Sequence, residues 1–488
     1  MLPYEYFFYG GIFFLSGVLA ASAGVAPLFV TIGTLFTSAV LFLAHFYGVH
    51  PRARLFAALI LLVVAGSFYY RAHDVRFRAE RIPFGQKLAF TGTVASDPVA
   101  SNGEQQMKLS VTSPFRASIL LIARGYPRLA YGDAVRGVGA VQSVGTTSYA
   151  RYLEKELVRG TMRYPSIAPI GERRGSRVVA ALYAIKHRIM AAFSNALPPD
   201  EAVFLSGLTI GARGAFPDEL KDAMKRSGTT HLVALSGYNI TILVAVVSCM
   251  LLSFLSRRAA FFVTVPIIIA FVTMTGAEAS VVRAGVIGVL ALLAREVGRA
   301  HDMRNVILAA GIVMVLANPK VLAFDIGFQL SFLALLGLVY VGPALMNLFH
   351  IEEGGKGPLS WKEGLITALA AQLATLPLLV GSFGVFSPVS LISNIAILEF
   401  IPPTMGLGFS VALASLVSGT VSLFLGLLAH VFLRLELWLI YFFARISFPL
   451  HFKMSVVLGA VYYLALGVFV WRYTKNHGGS ALRTRHAK

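Results

Sequence analysis

Apolar residues in this chain fall in long runs separated by short polar links, and the runs set the architecture. Two of them, residues 6–22 and 27–48, precede the basic link "HPRARLF" and a third run at 55–70. A helix needs roughly 20 mostly apolar residues to cross a bilayer, and such stretches recur. Further runs lie at 231–255, 259–275, 281–294, 306–316, 326–348, 364–380, 388–401, 405–418, 421–440 and 454–471. Several are too short or too interrupted to be simple spans. The pattern predicts a polytopic α-helical membrane protein with roughly nine to thirteen transmembrane segments, some discontinuous.

Between residues 71 and 174 the pattern changes to strand-length alternation, as in "QMKLSV", where Met107, Leu109 and Val111 share one face. Strands are expected at 88–97, 105–112, 116–123 and 133–144, joined by the turn-rich "DPVASNGE" and "GYPRLAYGD". Some five short strands in a hundred residues fit a small β-barrel of the OB kind, with a generic sandwich as the alternative. Residues 178–196 carry Leu182, Ile185, Ile189 and Phe193 at helical spacing, with Lys186 and Arg188 off that stripe. That helix is expected to lie in the membrane interface rather than span. Two short helices, at 201–210 and 217–226, follow.

Composition agrees: 57% of the 488 residues are hydrophobic, and the mean hydropathy of +0.73 lies outside the soluble range. The first run lacks a basic leader, so it reads as a retained helix rather than a signal peptide. Cys249 is the lone cysteine, which excludes a disulfide framework and a cysteine zinc site. Arg52, Arg54, Arg257, Arg258, the link "REVGRAHDMR" and the basic tail mark cytoplasmic ends, so both termini are expected inside and the β domain outside. Domain boundaries follow. Residues 1–70 are N-terminal membrane helices, 71–175 an exoplasmic OB-like domain, 176–228 interfacial helices, 229–472 a membrane channel domain and 473–488 a basic cytoplasmic tail.

The net charge of +19 fits two readings, attraction to polyanions and basic loops that orient the chain. In the β domain basic residues outnumber acidic ones about two to one. Arg116, Arg124, Arg128 and Arg136, interspersed with tyrosines, would let it track a phosphate backbone and stack bases; a solvated basic surface is the plainer alternative.

Four polar islands interrupt the apolar runs, where ionisable and hydrogen-bonding groups are costly and normally face a cavity or one another. They are "HLVALSGYNIT" with His231, Ser236, Gly237 and Asn239; "TGAEASVVRAG" with Gly276, Glu278 and Arg283; "FDIGFQLSF" with Asp325, Gln329 and Ser331; and the segment from Gln372 to Asn394, with Glu399 beyond. For a single Ser, Asn or Gln, interhelical hydrogen bonding is the safer reading. Four islands together read as the lining of one wet cavity built from broken helices. Arg283 has three options: snorkelling, pairing with Glu278, or meeting an anionic substrate, for which a bidentate phosphate contact suits arginine.

Catalytic signatures are missing. There is no G-x-x-x-x-G-K-[ST] loop, no close histidine cluster for two metals, and no cofactor motif. His231 and Ser236 stand at i, i+5, on different helical faces, which weakens a base–nucleophile reading. The chain is therefore expected not to be an enzyme, with no catalytic residues, metal or cofactor. A small-molecule or lipid-linked secondary transporter and an intramembrane hydrolase using His231 and Ser236 are the rival classes.

The ordered set "HLVALSGYNITIL", "TGAEASVVRAGV", "FDIGFQLSFLALLGLVYVG" and "AQLATLPLLVGSFGVFSPVSLISNI" resembles the ComEC family, the inner-membrane DNA uptake channels of bacterial natural transformation. The block "FTGTVASDP...YGDAVRGVGAV" resembles the OB-fold domain that this family inserts after its first helices. The resemblance implies a cytoplasmic-membrane channel that passes single-stranded DNA inward. Partners implied are membrane lipids, a separate surface DNA-binding competence protein and a cytoplasmic helicase-like ATPase. The motif positions carried over are His231, Ser236 and Gly237; Gly276, Arg283 and Ala284; Gln329, Leu330 and Ser331; and Gln372, Pro377 and Asn394. Where the family commonly reads "SGLH" this chain reads "SGYN", so any role of the second histidine falls to Asn239. Many members carry a further metallo-β-lactamase-like domain; this chain stops at Lys488, so strand degradation is expected from a separate nuclease, if at all.

Overall fold

The computed structural model describes residues 3–47, 53–101, 103–145, 148–212, 214, 216–233, 237–297, 303–350, 361–448, 450–451 and 454–475. The N-terminal helices are α1 (Pro3–Ser22), α2 (Pro27–Phe46), α3 (Ala53–Ile60) and α4 (Leu62–Arg78). Strands β1 (Lys87–Val94), β2 (Val99–Ser101), β3 (Glu104–Ser113), β4 (Ala117–Arg124) and β5 (Asp133–Ala140) follow; then come α5 (Ser148–Lys155), β6 (Val158–Arg163) and β7 (Ser166–Arg173). Next are α6 (Arg177–Ala196), α7 (Pro199–Ile210), α8 (Asp218–Ser227), α9 (Thr230–Val233), α10 (Gly237–Leu252), α11 (Arg257–Met274), α12 (Ala279–Val297), α13 (Met303–Ala317) and α14 (Val321–Phe324). Helix α15 (Ile326–Leu336) runs through a π-turn at Gly337–Val341 into α16 (Gly342–Phe349). The chain continues through α17 (Trp361–Phe383), β8 (Val385–Phe386), α18 (Ser390–Leu398), α19 (Ile401–Ser415), α20 (Gly419–Ile446), β9 (Leu450–His451) and α21 (Val456–Lys475).

Among the described residues eight helical stretches are long and apolar enough to cross a membrane, and a ninth arises if α18 and α19, bent by 48° at their junction, form one broken span. These coincide with the apolar runs of the sequence. The shorter apolar stretches 279–293 and 303–317 belong to α12 and α13. Ends are set by local chemistry: Ser256 and Ser418 cap α11 and α20 by accepting from Ala259 and Val421 backbone N–H groups. Helix α6 is not among the spanning candidates.

The β domain holds one seven-stranded sheet ordered β6-β4-β3-β1-β5-β7, with β2 on β3. Neighbours are antiparallel except β4 and β6. Met107, Leu109 and Val111 do point inward, into a core with Phe90, Val94, Ile119, Leu121 and Val135. The four expected strands appear as β1, β3, β4 and β5. Alternation missed β6 and β7, because "VRGTMR" alternates over only six residues and β7 is exposed along most of its length.

The chain divides into two compact units, Met1–Arg188 with Leu243–Asp325, and Ile189–Ile242 with Ile326–Lys488. In the first, α1 lies against α4 at backbone distance: a Cβ on Gly17 would sit 1.9 Å from the Val63 carbonyl oxygen, and one on Gly66 would sit 2.1 Å from that of Phe14. Small residues allow such approach in lipid, where packing rather than water exclusion holds helices together.

A knot of charges joins the β domain to the helices of this same unit. Lys320 is fully buried, its Nζ 2.7 Å from Asp74 Oδ1 and 3.2 Å from Glu154 Oε2, over the Phe77 ring at 3.9 Å. Lys155 Nζ lies 2.8 Å from Asp325 Oδ2 and 3.2 Å from Glu156 Oε1, and Glu156 also pairs with Lys108 of β3. Burial opposes charge on both Lys155 and Glu156, yet Asp325 holds the ammonium above its ordinary pKa and Lys108 and Lys155 hold the carboxyl below its own. The second unit has its own core, built from Phe193, Phe204, Leu205, Leu208, Met405, Leu433 and Ile440 among others.

Candidate nucleic-acid path

In the second unit the first and fourth polar islands meet. Helix α8 ends at Gly228, left-handed at φ +76, which suits glycine. A Cβ there would lie 2.3 Å from that of Ser390. On the other side of Ser390, its Oγ accepts from Gln372 Nε2 at 3.0 Å. The His231 imidazole hydrogen-bonds the Gly228 carbonyl. Around this point a seam of hydroxyls closes the helix ends. Ser393 Oγ donates to the Ser227 carbonyl at 2.7 Å, Ser447 Oγ to that of Arg226 at 2.6 Å, and Ser387 and Ser447 hydroxyls lie 3.0 Å apart. The Arg226 and Ser227 carbonyls at the end of α8 thereby find donors that the helix itself cannot supply.

His231 differs from its neighbours in direction. Leu232 and Val233 are 4% and 5% exposed, whereas His231 is exposed. Helix α9 thus turns two apolar side chains into the core, while its imidazole reaches back to the Gly228 carbonyl. Gln372 and Asn394 are half-buried, and Asn394 Oδ1, buried as an atom, accepts no hydrogen bond among the described residues. Asn239 is 2% exposed and its Nδ2 donates to the Leu208 carbonyl of α7 at 2.9 Å; it fastens α10 to the end of α7. Gly237 opens α10, and Ser236 lies outside the described residues.

The remaining islands distribute differently. Gly276, at φ +88, and Ala277, at φ 54, form the turn between α11 and α12, and Arg283 sits on α12 with 8% exposure, next to Ala284; these belong to the first unit. Gln329 and Ser331, half-buried on α15, belong to the second. Asp325 is explained by its ion pair with Lys155. A cleft of about 320 Å³ in the first unit is lined by Tyr6, Gly11, Phe14, Leu62 and Ile312 among others, and by no island residue.

On the β domain Arg116, Arg124, Arg128 and Arg136 are all exposed. Arg116 precedes β4 and Arg124 ends it, ~26 Å apart at ~3.3 Å per residue. Arg136 stands mid-strand on β5 opposite Thr91 and Ala168. Arg124 lines a small hollow of about 80 Å³ with Gln105, Tyr126, Pro127 and Pro165. Tyr126 is 87% exposed. Beside it, Tyr164 donates to Glu104, which pushes the phenol pKa up, while Arg163 and Arg124 act the other way. This edge combines cations, aromatic faces and a concavity.

Pattern reading missed three ionisable groups in the second unit. Glu201 Oε2 of α7 lies 2.6 Å from His430 Nδ1 of α20, and Glu436 of α20 accepts from Thr404 at 2.6 Å. Both α20 residues interrupt an apolar run, which was the available signal.

Spans of this length and number, with an inserted β domain and polar seams buried at helix ends, define a polytopic helical membrane protein. The chain belongs to the Competence protein family, whose model matches residues 208–476, the segment that contains every island. It is 28% identical over 257 residues to ComE operon protein 3 of Bacillus subtilis (strain 168). That alignment covers 52% of this chain and 32% of the relative, about a third of its length. No solved structure matches.

Proposed function

We propose that this protein conducts single-stranded DNA across the bacterial cytoplasmic membrane during natural transformation, without covalent chemistry of its own. The observation that carries the reading is the convergence, inside the region that matches the Competence family, of His231, Gly228, Ser390 and Gln372 on one hydrogen-bonded locus. Amide and imidazole groups at such a locus replace water around a phosphodiester strand.

We read the sheet as an OB-like barrel outside the membrane. Its strand order, its parallel β4–β6 pair and the antiparallel bridge between Gln142 and Thr161 support that reading. Its Arg124–Tyr126 edge receives the strand. Both termini face the cytoplasm. A surface DNA-binding protein delivers the strand, a helicase-like ATPase pulls, and a nuclease removes the complementary strand.

The test is deletion of the gene, with labelled duplex scored separately for surface binding and for nuclease-protected label in the cytoplasm. Loss of the protected fraction with surface binding intact is the expected result; unchanged protected label refutes the reading.

A further inference from the structure

Helix α20 carries ionisable side chains near its middle that the transport reading leaves unused. It has 28 residues, so at 1.5 Å rise per residue His430 and Glu436 both lie within about 5 Å of its midpoint along the axis. Glu436 is 0% exposed. Its Oε1 accepts from Thr404, and its Oε2 makes no hydrogen bond among the described residues.

Among the described residues the packed neighbours bring Glu436 no countercharge. Helices α18 and α19 contain no titratable side chain between their ends, and α7 adds only Asp200 and Glu201. The charged side chains of α8 are all exposed, and of these Glu219 acts, with Asp200, on Tyr441. On α20 itself Arg434 is exposed, two residues from Glu436 and so on another side of the helix. An ionised carboxylate so placed would be uncompensated, which makes the group a binder of one proton. The Glu201–His430 couple, ~9 Å away along α20, is hydrogen-bonded across 2.6 Å, and the His430 side chain is about a third exposed. It offers a relay between the outer surface of the unit and the buried acid.

We propose that Glu436, served by Glu201 and His430, is a proton-exchanging site that couples strand passage to a transmembrane proton gradient. The inference rests on the transport reading above. A permanently neutral acid that merely packs and accepts from Thr404 is the competing account, and glutamine does both of those things equally well.

The deciding comparison is therefore Glu436→Gln against Glu436→Asp in the intact protein, with nuclease-protected uptake, surface binding and membrane abundance all measured. Glutamine is expected to cut protected uptake on the order of tenfold or more at unchanged binding and abundance, while aspartate retains part of it. A proton ionophore should bring wild type down to the glutamine level and leave that variant unmoved. Wild-type uptake and ionophore response in Glu436→Gln would overturn the proposal. If Glu436→Gln does not accumulate, Glu201→Gln decides by the same readouts. Where gene deletion itself leaves uptake intact, it is the transport reading that fails.

Discussion

Gly228→Ala puts the seam in the second unit to a quantitative test. Two costs arise. The residue must hold φ +76 with a Cβ, at ~1–2 kcal/mol. That Cβ must also find room where Ser390 Cβ stands 2.3 Å away, and overpacking of this kind costs ~1–3 kcal/mol. The sum is about 2–5 kcal/mol. Gly276 supplies the control: it has φ +88 but nothing within 4 Å of a built Cβ, so Gly276→Ala carries only the ~1–2 kcal/mol conformational part. Thermal unfolding of the detergent-solubilised variants, at ~2–4 °C per kcal/mol for a body of this size, should show Gly228→Ala shifted further by the ~1–3 kcal/mol overpacking part. Adding Ser390→Gly removes the opposing Cβ, so the double variant should recover part of the loss, less than about 1 kcal/mol for glycine in a helix. Equal shifts for the two single variants, or no recovery in the double, would refute the close approach of α8 and α18.

Other consequences are checked as directly. Asn239→Ala leaves the Leu208 carbonyl without its donor and should destabilise by ~1–3 kcal/mol, whereas Asn239→Asp should be worse because it presents an acceptor to an acceptor. Tyr126→Ala and Arg124→Ala should each weaken single-strand binding, by ~1–3 kcal/mol for a lost stacking contact, and Arg116→Ala should change it little; fluorescence anisotropy with labelled oligonucleotides ranks the three. Glu156 has its pKa depressed by Lys108 and Lys155, so its contribution is present above the unfolded value of ~4.3 and is lost as pH falls through the lower folded value. Lys155, raised by Asp325, contributes fully below ~10.4 and loses its contribution as pH rises through the higher folded value. Protection factors in α5, taken relative to intrinsic exchange at each pH, should accordingly fall at both acid and alkaline extremes, and at the alkaline one Lys155→Met should remove the part of the fall due to Lys155.

Much of the fold was legible because hydrophobic period is a local property. The run at 259–275 became α11 (Arg257–Met274), that at 421–440 became part of α20, and the alternating faces of β3 and β4 were visible in "QMKLSV" and its partner. What pattern could not give was pairing at distance. Asp325 looked like a member of a membrane island, and its partner Lys155 sits 170 residues earlier in a helix of eight residues whose pattern spans only two turns. Asn239 looked like a lining residue, and its acceptor is a backbone carbonyl, which sequence does not mark. Of the four arginines of the β domain, which composition grouped together, Arg124 ends β4 and Arg136 stands mid-strand on β5, places that register rather than composition sets. Glu201, which opens a short helix in the sequence reading, owes its significance to His430, 229 positions later.

The central claim is that the His231–Gly228–Ser390–Gln372 locus borders the route of the strand. It is tested most directly by placing a photo-crosslinking amino acid at residue 231 or 372 and stalling a labelled strand in transit. The account predicts covalent adducts from both positions and none from residue 464, where Leu464 is exposed on the apolar outer surface of α21. Adducts at 464 as abundant as those at 231 and 372, or none at the two inner positions while uptake proceeds, would contradict it.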